Sequence, residues 1–201
     1  AGVRRAMAAA AVVTTTRTRL STAHQPVAAL AVASASRAGG GGNAPAAAGS
    51  LEQLGKLEDR VVVQGSVKIG SGSLGVVILA QDRRSNRKVA VKVISLKLAK
   101  DVGGDEAHVW REVQAMRELE HPNIVRLVDV LACRNRLPHV SSEPPYLCIV
   151  MEYVSESEPL SNVLRRAGPS SALARQVVPQ LAGALALMHR RGLVHRDVWS
   201  E

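Results

Sequence analysis

Three glycines, Gly70, Gly72 and Gly75, stand between two runs of β-branched residues, and that arrangement leaves the chain few ways to fold. Residues 60–70 read RVVVQGSVKIG and residues 76–82 read VVILAQD. Val and Ile favour the pleated, half-buried surface of a strand. Two such runs joined by a short glycine-rich tip predict an antiparallel hairpin. A dinucleotide-binding glycine fingerprint would instead open a helix after its third glycine. Here the third glycine leads into VVILA, so the glycines cap a hairpin. Glycine also lets backbone N–H groups approach phosphate oxygens without a Cβ in the way. Taken alone, the loop is equally well read as an ordinary hairpin tip.

The next segments extend the same pattern. Residues 88–95, KVAVKVIS, predict a third strand that alternates around Val89, Val91 and Val93. From about residue 105 to 120 the period becomes helical, with Val109, Val113, Met116 and Leu119 or Glu120 on adjacent turns. His121-Pro122-Asn123 breaks that helix. IVRLVDVLA and YLCIVMEYV predict a fourth and a fifth strand, joined by a polar stretch that is long for a hairpin. A short helix near 160–166 and a long one over about 171–191 follow. The long helix carries a stripe of Leu173, Val177, Leu181, Leu185 and Met188, and Pro179 inside it predicts a kink. Aromatic residues make up only 2% of the chain and Phe is absent, so the core has to rest on Val, Ile and Leu.

The net charge of +9 is unevenly spread. Arg4, Arg5, Arg17, Arg19 and Arg37 fall in the first fifty residues, and the first carboxylate is Glu52. This leading segment is rich in Ala, Gly, Ser and Thr. It has too few large apolar groups to offset the entropy of ordering, so residues 1–57 are expected as an unstructured tail. An Arg-rich, acid-free start also resembles an organelle transit peptide, which stands as the alternative to a cytoplasmic location. A nucleic-acid interface would want clustered basic residues with interleaved aromatics. Neither is visible, so no nucleic-acid partner is expected. No apolar run approaches the roughly 18 residues of a spanning helix, so no membrane partner is expected either. Cys133 and Cys148 do not suggest a disulfide framework, and Cys148 in LCIVM reads as a buried small hydrophobe.

Lys92 lies in the third strand, seventeen residues after Gly75 and flanked by apolar neighbours. An ammonium buried without a partner is costly. The helix that follows carries Glu112 on the face of Val109 and Met116, so Lys92–Glu112 is the preferred ion pair. Glu106, Glu118 and Glu120 are the alternatives.

IGSGSLGVV, VAVK, REVQAMRELEHPNIVRL, IVMEYV and GLVHRD occur in the order and spacing of eukaryotic protein kinases, and the chain resembles that family, serine/threonine type, over residues 60–197. The resemblance implies an α+β fold. It comprises a five-stranded antiparallel N-lobe sheet with one long helix, followed by a truncated helical C-lobe, with the kinase domain at 58–201. It implies ATP with Mg²⁺ as cofactors and a protein as substrate. The loop Ile69, Gly70, Ser71, Gly72, Ser73, Leu74 and Gly75 matches the phosphate-covering loop. Val77 and Ala90 match the residues over the adenine ring, Met151 matches the gatekeeper, and Glu152 and Val154 belong to the hinge. Lys92 and Glu112 match the ion pair that holds the lysine toward the phosphates. Met116, Leu127 and His195 match three of four stacked side chains that align the lobes. Asp197 matches the catalytic aspartate that orients the substrate hydroxyl.

After Asp197 the pattern departs from the family. Trp199 stands where serine/threonine kinases place a Lys, and it offers one donor and no charge. The metal-binding Asn and the Asp-Phe-Gly segment do not occur in these 201 residues. The metal site is therefore expected to be incomplete and the 201-residue chain inactive in transfer. A pseudokinase-like module that binds nucleotide or a partner is the alternative.

Overall fold

A computed structural model describes residues 13–16, 29–30, 36–37, 50–72, 75–97, 106–155, 157–195 and Val198. The chain divides into two compact units. The first takes the described residues of 50–114 and 127–153, and the second takes those of 13–37, 115–126 and 154–198.

The first unit is built on five antiparallel strands: β4 (Val61–Gly72), β5 (Gly75–Asp82), β6 (Lys88–Ser95), β7 (Leu127–Cys133) and β8 (Tyr146–Glu152). Their order in the sheet is β4-β5-β6-β8-β7. All five strands occupy the predicted segments. The fourth starts later than the sequence suggested, because Ile124 stays outside it, bonded through its N–H to the His121 carbonyl at 3.0 Å. The family's α+β architecture, a five-stranded sheet with helices, is present.

Alternation sorts the sheet into two apolar faces. One gathers Val61, Ile78, Ala80, Val89, Val91, Val93, Leu131, Cys133, Tyr146, Cys148 and Val150 with Leu57 into a single buried cluster. Each fully buried Val or Ile contributes on the order of 1.5–3 kcal/mol. The polar connection between β7 and β8 helps to cover this cluster, since Leu137 and Val140 pack against it. That accounts for its length: with no Phe, the sheet recruits loop side chains. Tyr146, its one buried ring, donates its hydroxyl to the Ser142 carbonyl at 2.6 Å. Burial pushes the Cys133 thiol up to about 11 and the Cys148 thiol well above its ordinary value. Both cysteines are free, and at neutral pH they stay protonated and serve as packing groups.

The sheet curls until its two edges share a clip. The segment ahead of β4, with its helical turn α1 (Leu57–Arg60), runs beside β7 through a parallel bridge from Lys56 to Ala132. Arg60 makes a two-pronged contact with Asp82 at the end of β5, 3.0 Å from Nε and 2.9 Å from Nη2, and reaches Asp129 on β7 at 3.4 Å. The Arg60 guanidinium holds the Asp82 carboxyl down from 3.8 to about 2, helped by the Arg84 N–H that it also accepts. A depressed carboxyl contributes stability above its unfolded value and loses it as pH falls. The stability gap between the wild type and Asp82→Asn is therefore expected to be on the order of 2 kcal/mol at neutral pH, shrinking between about pH 4 and pH 2. Urea titrations across that range check it. A gap independent of pH would contradict the clip.

Helix α2 (Glu106–Arg117) buries Val109, Trp110, Glu112, Val113, Ala115 and Met116 and exposes Arg111 and Gln114. Leu119 is buried while Glu120 is exposed, which settles the end of the predicted stripe.

The second unit contains α3 (Leu160–Ala167) and α4 (Ser171–Arg190). Ser170 caps α4 by accepting the Leu173 N–H at 3.1 Å. The helix runs on through Pro179. Its fully buried residues are Val177, Ala184 and Met188. Ala184 takes the centre of the stripe, and Leu173, Leu181 and Leu185 flank it half-buried. Asn123 donates to Gln180 of α4 at 2.8 Å, so the segment that breaks α2 also anchors α4. Short strands from the leading segment pair here: β1 (Val13–Thr16) lies between β2 (Ala29–Leu30) and β9 (Ser157–Pro159), and β3 (Ser36–Arg37) pairs with β10 (Leu193–Val194). No helix among the described residues is long and apolar enough to cross a membrane.

Candidate functional site

The strand register sets the predicted binding residues on one face. Val77 lies opposite Lys92, and Lys92 opposite Ile149. One pleat along, Leu79 lies opposite Ala90, and Ala90 opposite Met151. Side chains two apart share a face, so Val77, Ala90, Lys92 and Met151 all project from the side away from the valine-rich cluster. Ala90 is buried; Val77 and Met151 are half-buried.

Helix α2 delivers Glu112 to that face. Its Oε1 lies 2.6 Å from Lys92 Nζ, with the two side chains 4% and 14% exposed. Of the four glutamates left open by the sequence, Glu112 makes the contact. Glu118 and Glu120 lie past the end of α2, and the side chain of Glu106 is outside the described residues. A short, sheltered ion pair is held in place by what each charge would suffer alone. An ammonium has three donors. One is turned to Glu112, and the cation remains able to serve an anion beside the Val77–Ala90 surface.

The glycine motif has two structural parts. β4 runs up to Gly72 and β5 restarts at Gly75, with Gly72 opposite Gly75. Ser73 and Leu74 lie outside the described residues. A Cβ on Gly75 would sit 1.8 Å from the Val93 carbonyl oxygen, so this glycine exists to let β5 and β6 approach. A Cβ on Gly70 would meet only Val77, at 3.5 Å. The sequence offered the three glycines as one motif and could not separate these roles. Ile69 is 39% exposed and Ser71 is exposed, on the strand that leads to the tip.

Strand β8 ends at Glu152, and Tyr153 and Val154 continue without strand pairing; Glu152 and Val154 are half-buried. Met116 and His195 are buried and Leu127 is half-buried. Asp197, the predicted catalytic carboxylate, lies outside the described residues, as does Trp199. The Arg60–Asp82–Asp129 clip was missed in the sequence reading. Its only signal was three charged residues far apart in the chain.

Comparison with known proteins is consistent with this geometry. Residues 63–201 match the family model described as the protein kinase domain. The chain is 40% identical over 132 residues to CBL-interacting serine/threonine-protein kinase 7 of Arabidopsis thaliana, covering 65% of this chain and 28% of that protein. It is 37% identical over 134 residues to calcium/calmodulin-dependent protein kinase type 1B of Rattus norvegicus, covering 67% of this chain and 35% of that protein. The chain thus spans about a third or less of the length of these relatives. Among solved structures, that of Rad53 1-466 in complex with AMP-PNP superimposes with a TM-score of 0.58 at 25% identity, over 71% of this chain and 34% of that one.

Proposed function

The chain belongs to the protein kinase family, and from that premise we propose that its five-stranded unit binds ATP and that the whole protein transfers the γ-phosphate to a Ser or Thr hydroxyl of a protein substrate. The observation that carries this reading is the Lys92–Glu112 pair at 2.6 Å on the sheet face shared by Val77, Ala90 and Met151. An apolar surface beside a fixed cation suits a ligand with a flat apolar base at one end and phosphates at the other. Val77 and Ala90 cover the adenine ring, and Met151 stands behind it. The backbone of 152–154 meets the adenine edge. Residues 69–75 cover the phosphates, which Lys92 holds while Glu112 keeps it in place.

Asp197 orients the acceptor hydroxyl in this proposal. Mg²⁺ supplies charge neutralisation on the phosphates when bound. Among the described residues no three His, Cys, Asp or Glu side chains are grouped to hold a metal, and no step is assigned to one here. The 201 residues lack the family's Asn and Asp-Phe-Gly ligands, so on this reading they bind nucleotide without transferring phosphate. Trp199, in place of the expected Lys, favours a second reading in which the protein is a nucleotide- or partner-binding regulator. Titrating ATP against the melting temperature tests the binding step, because a ligand that binds only the folded state stabilises by RT ln(1 + [L]/Kd). A saturable rise is expected. No rise at millimolar ATP, with or without Mg²⁺, would overturn it.

A further inference from the structure

We propose that strands β9 and β10 of the second unit are a docking surface for the chain's own leading segment, which joins each of them as an added strand. Strand β1 pairs antiparallel with β9, with Thr14, Thr15 and Thr16 opposite Pro159, Glu158 and Ser157. Strand β3 pairs antiparallel with β10, with Ser36 opposite Val194 and Arg37 opposite Leu193. Among the described residues neither β9 nor β10 has any other strand partner. An unpaired edge is a row of unmet N–H and C=O groups and accepts an extended segment through main-chain bonds. β1 also lies beside α3, and β2 beside α4, so the segment meets both helices of this unit.

The sequence supports this occupant independently of the pairing. Val12-Val13-Thr14-Thr15-Thr16 is the longest β-branched run in an otherwise Ala- and Gly-rich stretch, and such residues suit an edge strand. The segment's charges are all arginines, while residues 155–159 read SESEP with two acids. Opposite charge favours the encounter. β10 leads directly into His195, so the docked segment also fixes the backbone that enters the predicted catalytic loop.

Amide hydrogen exchange on the full chain tests it, comparing the wild type with the double variant Thr15→Pro/Ser36→Pro. Proline cannot donate to a ladder. Exchange at Ser157, Glu158, Leu193 and Val194 is expected to quicken at least about tenfold, the change that accompanies a loss of roughly 1.4 kcal/mol of protection, while β6 and β8 amides keep theirs. Unchanged exchange at these four residues would overturn the proposal. A second measurement covers a general loss of structure. Under mild oxidation, the pair Ser36→Cys/Val194→Cys is expected to crosslink and Ser36→Cys/Leu193→Cys is not, because only the first pair is in register. Equal crosslinking, or none in either, would overturn it.

Discussion

Replacing Gly75 with valine is expected to abolish the folded five-stranded sheet. Even the first carbon of any side chain would fall 1.8 Å from the Val93 carbonyl oxygen and 2.9 Å from its carbonyl carbon. The obstacle is backbone in the neighbouring strand, so no rotamer change relieves it. Strands β5 and β6 would have to part around the Gly75–Ile94 pair, and the register from Val76–Val93 to Gln81–Lys88 would open with them. A domain of this kind has a total stability of about 5–15 kcal/mol. Forcing two central strands apart removes much of that, several kcal/mol for alanine and more for valine. Gly70→Ala provides the comparison, since its Cβ would make only an ordinary contact with Val77. Its expected change is within about 1 kcal/mol. Denaturant unfolding of the three proteins checks the contrast. Equal tolerance at Gly70 and Gly75 would contradict the assigned strand approach.

Lys92→Met is expected to produce the second large effect, and it should be twofold. Stability falls, because Glu112 is left as a charge only 4% exposed with no cation against it. Removing one member of such a pair costs about 3–5 kcal/mol in a fully buried site, and somewhat less with Lys92 at 14% exposure. The double variant Lys92→Met/Glu112→Leu is expected to regain most of that loss, since an apolar pair of similar volume can replace a buried ion pair. Nucleotide binding is expected to stay lost in both. Stability that recovers while binding does not would separate the pair's structural role from its service to the ligand. Recovery of both would remove Lys92 from the site.

Much of the first unit could be read from residue order. Its strands announce themselves because Val and Ile alternate between two buried faces, and Lys92 interrupts one of them where only a partnered charge could sit. Glu112 followed from helical spacing. The Arg60 clip did not follow, because it joins Arg60 to Asp82 and Asp129, 22 and 69 residues away. Long-range pairs of this kind leave no local period. The cover supplied by Leu137 and Val140 was hidden for the opposite reason: two apolar residues in a polar loop carry no pattern. In α4 the stripe was legible, but its centre shifted to Ala184, a small residue whose burial a hydrophobicity pattern passes over. The leading segment was read from composition alone, and composition carries no information on strand pairing.

The most direct test of the central claim is calorimetric titration of ATP into the wild-type chain, Lys92→Met and Glu112→Gln. The account predicts saturable binding by the wild type, with affinity weakened at least about tenfold, or 1.4 kcal/mol, in each variant, because one removes the phosphate-facing cation and the other removes the charge that holds it. Equal affinity in all three proteins, or no binding by a folded wild type, would contradict it.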